Sequence, residues 1–168
     1  QGNYLAANGT DVRNYGGLEG LPEARALFAH VLQIPPEETL IGGNSSLTLM
    51  YNTIDFARTE GLSGPASAWG NSDTVKFLCP APGYDRHFAI CEHLGLEMVT
   101  VPMLDTGPDM DVVEALVKED RAIKGLWCVP RFSNPTGCVY SDDTVERIAR
   151  HADAGDPAAV CSIHRDVG

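Results

Sequence analysis

Short apolar runs alternate along the chain with segments in which apolar residues recur every three or four positions. The runs have the length and composition of buried strands and occupy positions 75–79, 97–102, 126–130 and 158–164. The periodic segments predict amphipathic helices, which begin near Pro22, Leu47, Asp85, Asp109 and Ser141. Because strands and helices alternate, the pattern predicts an α/β fold in which helices cover both faces of a largely parallel sheet, giving three α/β/α layers.

The N-terminal part of the chain gives weaker patterns. Residues 1–17 are polar and rich in Gly and Asn, so we expect an arm or loop without a core, followed by one partial domain over residues 18–168. Residues 39–41 predict a short strand that leads into a glycine- and serine-rich turn, and residues 61–74 predict a loop. The chain has no initiating methionine and no helix after its last predicted strand, so we expect it to be a piece of a longer protein.

Composition limits the class of protein and its partners. The 168 residues are 43% hydrophobic and 21% charged, which is typical of one soluble globular domain. The net charge of -11, from 12 basic and 23 acidic side chains, argues against nucleic acid or an anionic membrane as a general partner. No apolar stretch approaches the ~20 residues that span a bilayer, and the N-terminus lacks a secretion signal. We therefore expect a cytoplasmic location.

The cysteines and histidines indicate neither disulfides nor a metal. The five cysteines form an odd set without a C-x-x-C motif, and three lie in or beside apolar strand-like runs, which favours reduced, buried thiols. The five histidines have no ligand spacing on a shared face; His87 and His93 are six residues apart, which a helix places on different sides. No metal site is predicted.

Three distinctive loops follow predicted strands: residues 43–46 (Gly-Asn-Ser-Ser), 82–84 (Pro-Gly-Tyr) and 134–137 (Asn-Pro-Thr-Gly). In an α/β sheet such loops converge on one edge. The first suits a phosphate, through backbone N–H groups at a helix N-terminus and serine hydroxyls, or is simply a serine-capped helix. The second offers a ring that stacks on a flat heterocycle, or that packs in the core. The third presents an amide from a rigid turn, or is an ordinary strand exit.

Four segments resemble, in order, successive blocks of the fold-type I pyridoxal-phosphate aminotransferases, and among these a bacterial aspartate-aminotransferase-like subgroup. They are residues 13–25, 42–47, 79–87 and 133–137. The resemblance covers about residues 10–150, and it is specific as a set although each block alone is weak. It implies pyridoxal 5′-phosphate as the cofactor, and it makes residues 18–168 an incomplete cofactor-binding large domain.

The resemblance also assigns roles to individual residues. The phosphate would be held by Gly43, Asn44 and Ser45. The ring of Tyr84 would stack on the pyridine, and Asn134 would hydrogen-bond the phenolic oxygen. Tyr15 matches the tyrosine that reaches the phosphate of the neighbouring subunit's cofactor, which implies a homodimer; the alternative is that Tyr15 packs locally within its loop.

Two further residues of the family carry more of the chemistry. An aspartate after a later strand pairs with the pyridinium nitrogen; Asp166 is the candidate, 32 residues after Asn134, and the alternative is an exposed acid. The Schiff-base lysine has no counterpart here, because Lys76 and Lys124 begin predicted strands and Lys118 closes a predicted helix. We therefore expect no catalytic base in this chain, and no transamination by the chain alone.

The function expected from the resemblance is amino-group transfer between an amino acid and a 2-oxo acid in the intact protein. Two alternatives remain open at this stage. One is another fold-type I reaction, such as β-elimination or decarboxylation, because the matching blocks serve the cofactor and not the bond that breaks. The other is an aminotransferase-like effector domain of a transcription regulator, which a basic DNA-binding segment upstream of Gln1 would favour.

Overall fold

A computed structural model describes residues 3–15, 17–153 and 160–165 of the chain, with side chains as far as residue 151. The chain divides into two compact units, Gln1–Leu49 and Met50–Gly168. Among the described residues, no helix is long and apolar enough to cross a membrane. Within the same ranges, no group of three or more His, Cys, Asp or Glu side chains is arranged to hold a metal ion.

The first unit contains one complete helix, α1 (Pro22–Leu32), which begins where the sequence predicts it. Pro22 suits the first turn because it has no N–H to leave unpaired. The helix ends at Gln33, whose backbone is left-handed with φ 58° and whose N–H donates to the carbonyl of Ala29. A 3₁₀ turn, Pro36–Glu38, follows.

The strand predicted at residues 39–41 is wrong. The backbone there is extended, but its polar groups are already bound to other partners: the Thr39 carbonyl accepts from Arg25 Nε at 2.8 Å, and the Ile41 N–H donates to the Glu19 carbonyl at 3.0 Å. The Thr39 N–H donates to the carbonyl of Pro36. No strand forms because the groups that a ladder would need are occupied by a side chain and by turns.

The second unit is built on a sheet with strand order β3-β2-β1-β4-β5. The strands are β1 (Lys76–Ala81), β2 (Glu97–Leu104), β3 (Gly107–Pro108), β4 (Ile123–Arg131) and β5 (Val160–Arg165). All neighbouring strands are parallel except β3, which is antiparallel to β2. β3 was not predicted, because two residues are too short to give a hydrophobic pattern. The predicted α/β class with a largely parallel sheet is confirmed.

Four helices accompany the sheet. They are α2 (Ser46–Thr59), which begins in the first unit, α3 (Asp85–Leu94), α4 (Met110–Glu119) and α5 (Asp142–Asp153). Each begins within one residue of the predicted position. Asp109 caps α4, since its carboxylate accepts from the N–H groups of Asp111 and Val112.

Adjacent residues of β1 and β4 face opposite sides of the sheet, and each side has its own core. On one side Leu78 and Leu126 pack with Met110 and Val113 of α4. On the other side lies a row of tilted and stacked rings that we call the aromatic row: Trp69, Phe77, Trp127, His87 and Tyr84, with successive centroids 6.5, 4.9, 4.7 and 5.1 Å apart. Because α3 supplies His87, helices cover both faces of the sheet, as the three-layer prediction required.

Three of the described thiols are free and buried, as the sequence predicts, and the fourth is partly exposed. The described cysteine side chains, at positions 79, 91, 128 and 138, are unpaired by disulfides, and the first three are buried. One of the buried thiols accepts a hydrogen bond: the indole Nε1 of Trp127 donates to Cys91 Sγ at 3.2 Å. The side chain of Cys161 lies outside the described residues.

Arg147 joins α5 to α4 through two carboxylates. Its Nη2 lies 2.6 Å from Asp111 Oδ1, and its Nε lies 2.7 Å from Glu114 Oε1. His151 Nε2 lies 3.5 Å from the same Glu114 oxygen. The hydrogen bond from the Arg147 guanidinium lowers the pKa of Glu114 to about 2.

This ion pair predicts a stability that depends on pH. Because the folded state lowers the Glu114 pKa, its contribution is fully present above the ordinary value of 4.5 and is lost as the pH falls toward about 2. We expect Arg147→Gln to destabilise the fold at neutral pH, and the difference from the wild type to shrink across that window. Urea denaturation at a series of pH values measures the effect.

The matched control for this prediction is Arg150→Gln. Arg150 approaches Glu146 at 3.7 Å, and both side chains are largely exposed, so little stability is expected from this pair. A difference between wild type and Arg147→Gln that stays constant from neutral pH to pH 2 would contradict the assignment of the Glu114 pKa to Arg147.

Candidate functional site

The loop after β1 brings Tyr84 to the carboxyl end of the sheet. The Ala81–Pro82 peptide is cis, and Tyr84 is the N-cap residue of α3, with an extended backbone. Gly83 is required by close packing, because a Cβ there would lie 2.3 Å from the Pro80 carbonyl oxygen and 2.9 Å from Phe88 Cζ. The absence of a side chain at position 83 therefore allows the turn that presents Tyr84.

The ring of Tyr84 is braced by the aromatic row. It meets the imidazole of His87 edge-on, at 5.1 Å and 87°, and that imidazole stacks on the indole of Trp127 at 4.7 Å and 16°. His87 and Trp127 are both 3% exposed, whereas Tyr84 is half-buried. Sequence reasoning gave neither bracing residue a role. The contact between Tyr84 and His87 could have been predicted, since residues three apart at the start of a helix share a face. The contact between His87 and Trp127 could not.

The loop after β4 turns sharply before it presents Asn134. Phe132 has a left-handed backbone with φ 54°, an uncommon conformation for a residue with a side chain. The N–H of Ser133 then donates to the Cys138 carbonyl at 2.9 Å, and the N–H of Gly137 closes the turn on the Ser133 carbonyl. This turn buries Ser133 and leaves Asn134 exposed. The Asn134 amide makes no hydrogen bond with the part of the chain that the structure describes.

These two loops meet at one cleft of the second unit. Among its lining residues are Gly83 and Tyr84 from the first loop and Ser133 from the second, together with His87, Trp127 and Tyr140. The cleft has a volume of about 10 Å³, which is room for about one water molecule and not for a ring. The structure thus brings the Tyr84 loop and the Asn134 loop to the same edge of the sheet, as predicted.

The third loop, residues 43–46, lies at the start of α2 in the first unit. Ser45 caps the helix, since its Oγ accepts from the N–H of Thr48 at 3.3 Å and from the Thr48 hydroxyl at 3.1 Å. The backbone N–H groups of Ser46 and Leu47 have no acceptor among the described residues, as is usual in a first helical turn. The loop is therefore a serine-capped helix start that still offers N–H donors to an anion.

A family model described as aspartate aminotransferase matches residues 1–160 of the chain. The chain belongs to the aspartate aminotransferase family. This result confirms the resemblance that the four sequence blocks indicate. The fold agrees with it, because solved structures of aminotransferases superpose on the chain with its largely parallel sheet and flanking helices.

Individual relatives support membership in the family. An aspartate aminotransferase of Corynebacterium glutamicum is 48% identical over 149 residues, covering 89% of this chain and 34% of that protein. A crystal structure of an aspartate transaminase from C. glutamicum gives a TM-score of 0.88 at 45% identity, over 96% of this chain and 38% of that chain. The α-aminoadipate aminotransferase LysN of Thermus thermophilus, complexed with N-(5′-phosphopyridoxyl)-L-leucine, gives 0.68 at 25% identity, over 90% and 34%.

The chain spans about a third of the length of these members of the aspartate aminotransferase family. The resemblance also assigns roles to Tyr15 and Asp166. Tyr15 is 97% exposed, and its N–H donates to Asn14 Oδ1 at 2.8 Å, so its ring is not packed within the loop. Asp166 lies outside the described residues, and its predicted pairing with the pyridinium nitrogen stays a prediction.

The three lysines lie away from the edge of the sheet that an aminotransferase of this family would use. Lys76 is the first residue of β1, about 17 Å along the strand from the end that leads to Tyr84. Its Nζ lies 3.0 Å from Asp120 and 3.2 Å from Glu97, and hydrogen bonds to these carboxylates raise the Lys76 pKa. Lys124 is the second residue of β4, and Lys118 is the last but one of α4. No described lysine is placed to reach a ring beside Tyr84.

Proposed function

We propose that this chain is the cofactor-binding part of a pyridoxal-phosphate-dependent aminotransferase. In the whole protein, the enzyme transfers an amino group between an amino acid and a 2-oxo acid. The observation that carries the proposal is the meeting of the Tyr84 and Asn134 loops at the carboxyl edge of a parallel sheet, where open α/β folds bind their ligands. The names of the relatives, which are aminotransferases, support transfer over elimination or decarboxylation.

The donors that the resemblance assigns to the cofactor fit it chemically. Tyr84 offers a ring that is half-buried and held from behind by His87, so its free part is available to stack on a flat heterocycle. Asn134 offers an exposed amide N–H₂ group that suits a phenolic oxygen. The start of α2 offers the N–H groups of residues 43–47 and the positive end of the helix dipole, which suit a phosphate dianion without a basic side chain.

Each residue then has a stated task. Gly43, Asn44 and Ser45 bind the phosphate, Tyr84 sets the plane of the pyridine ring, and Asn134 donates a hydrogen bond to the phenolic oxygen. Bound pyridoxal phosphate supplies an electron sink for the α-carbon of the amino acid. Asp166 would keep the ring nitrogen protonated, and Tyr15 would reach the phosphate of a second subunit in a homodimer.

The proton transfers require a base that the described part of the chain does not supply. Lys76 is held between two carboxylates at the amino end of β1, Lys124 lies at the amino end of β4, away from the cleft, and Lys118 lies near the end of α4. We propose that the lysine that bonds the cofactor, and the arginine that binds the substrate carboxylate, belong to other parts of the whole protein. The chain alone would then bind the cofactor without turning over substrate.

The proposal is tested by titrating the full-length protein with pyridoxal phosphate and following visible absorbance. We expect Asn134→Ala to raise the dissociation constant about tenfold, the effect of losing one hydrogen bond to a charged oxygen. Asn52→Ala is the matched control, because Asn52 lies exposed on α2 and makes no side-chain hydrogen bond with the described residues. Absence of saturable binding by the wild type, or equal affinities for all three proteins, would refute the proposal.

A further inference from the structure

Phe132 departs from two ordinary residue preferences at once. Its backbone is left-handed, with φ 54°, a conformation that glycine and asparagine adopt more readily than a bulky residue does. Its side chain is 60% exposed, so the ring keeps more than half of its surface in water. Among the described residues, the ring makes no contact with another aromatic ring or with a cation. The described chain therefore gives no structural reason for phenylalanine at this position.

Phe132 lies in the turn that presents Asn134. Two residues span at most about 7 Å of chain, so Phe132 lies close to any group that the Asn134 amide binds. The N–H of Ser133, between them, donates to the carbonyl of Cys138 at 2.9 Å and joins the two legs of the turn. Val139 follows Cys138 on the second leg and is 48% exposed. Both legs of the turn therefore carry an exposed apolar side chain.

The chemistry of pyridoxal phosphate indicates which part of a bound substrate lies here. In the proposed function, Asn134 donates to the phenolic oxygen of the cofactor. The ring carbon that bears this oxygen adjoins the ring carbon whose substituent bonds the amino group of the substrate. A residue close to the phenolic oxygen is therefore also close to the α-carbon of the amino acid and to its side chain. An exposed apolar ring suits methyl and methylene groups there, because contact removes apolar surface from water.

We propose that Phe132 is a specificity-determining residue whose ring, with Val139, contacts the side chain of the amino acid substrate and favours apolar groups beyond its Cβ. This inference rests on the proposed function. It gives the left-handed phenylalanine a reason, since residues in unfavourable backbone conformations cluster at ligand-binding sites, where function and not stability determines the residue type. If another part of the whole protein covered the ring instead, Phe132 would stabilise the fold.

The test measures the binding of two stable conjugates to the full-length protein without cofactor, by isothermal titration calorimetry. N-(5′-phosphopyridoxyl)-L-leucine and N-(5′-phosphopyridoxyl)-L-alanine differ only by the isopropyl group of the leucine side chain. Phe132→Asn is expected to weaken binding of the leucine conjugate about tenfold, the contribution of roughly two buried methylene groups, and to leave the alanine conjugate unchanged. Phe132→Leu should keep most of the preference for leucine. The matched control, Phe56→Ala, removes a ring on α2 that is 53% exposed and should change neither affinity.

Thermal unfolding of the same variants without ligand separates substrate contact from a structural role. Because asparagine accepts left-handed backbone better than phenylalanine, Phe132→Asn should unfold at the temperature of the wild type or above it. A lower unfolding temperature would overturn the inference, since it would show that the ring packs against another part of the whole protein. So would a Phe132→Asn variant that weakens both conjugates equally or neither of them. If the wild type binds neither conjugate, the proposed function itself is refuted, whereas the other outcomes refute only the role of Phe132.

Discussion

Replacing Trp127 with alanine should lower the free energy of unfolding by about 3–5 kcal/mol, the cost of removing a large buried aromatic side chain. Trp127 is 3% exposed and lies at the centre of the aromatic row, 4.9 Å from the Phe77 ring and 4.7 Å from the His87 ring. Its indole N–H also donates to Cys91 Sγ, so the substitution removes a buried hydrogen bond as well as the packing. Because folded domains are stable by only about 5–15 kcal/mol, this loss is a large part of the total.

Urea denaturation of the full-length protein measures the effect, and Trp127→Phe is the informative control. Phenylalanine keeps ring contacts with Phe77 and His87 but has no N–H for Cys91, so it should lose clearly less stability than alanine. The alanine variant should also bind pyridoxal phosphate more weakly, since the support behind His87 and Tyr84 is gone. Equal and small losses for both variants would show that the row does not stabilise the sheet.

Gly83→Ala should both destabilise the protein and impair cofactor binding. The added Cβ would lie 2.3 Å from the carbonyl oxygen of Pro80, which is backbone in β1 and cannot rotate away as a side chain would. Relief therefore requires the loop to move, at an expected cost of about 1–3 kcal/mol or more. The movement displaces Tyr84, the next residue, so we expect the affinity for pyridoxal phosphate to fall more than the loss of stability alone would explain.

Gly17→Ala is the matched control for Gly83→Ala. A Cβ at Gly17 meets no heavy atom within 4 Å, and its backbone φ lies outside the left-handed range. The two variants are compared by thermal unfolding and by cofactor titration of the full-length protein. A Gly83→Ala variant as stable as Gly17→Ala and equally able to bind pyridoxal phosphate would show that the turn accepts a side chain after all.

Hydrophobic periodicity predicted most of the second unit because its elements are long enough to repeat. α3 and α4 each place several apolar residues on one face, and β1 and β4 each contain a short apolar run. The hydrophobic pattern gave a wrong prediction where backbone groups are bound by side chains or turns, because such hydrogen bonds do not depend on the spacing of apolar residues. Residues 39–41 look like a strand, yet the guanidinium of Arg25 occupies the carbonyl that a neighbouring strand would have needed.

The sequence predicted which loops form the site but not the residues that support them. Tyr84 and Asn134 follow strands, and chain topology alone brings the ends of parallel strands together. The support behind them could not be predicted, since His87 and Trp127 are 40 residues apart in sequence and meet only in the folded chain, where β1, the strand before α3, pairs with β4. The burial of Ser133 beside an exposed Asn134 depends on the left-handed backbone at Phe132, which no residue preference indicates.

The aromatic row also gives this molecule an optical reporter of its own. Both tryptophans of the chain belong to it, and Trp127 is separated from Tyr84 only by the imidazole of His87. The fluorescence emission of an indole responds to the groups stacked on it. A ligand that binds the outer face of Tyr84 is connected to the buried indole of Trp127 through two ring contacts, Tyr84 with His87 and His87 with Trp127. Occupancy of that face can therefore be followed through intrinsic fluorescence, without a label and without turnover.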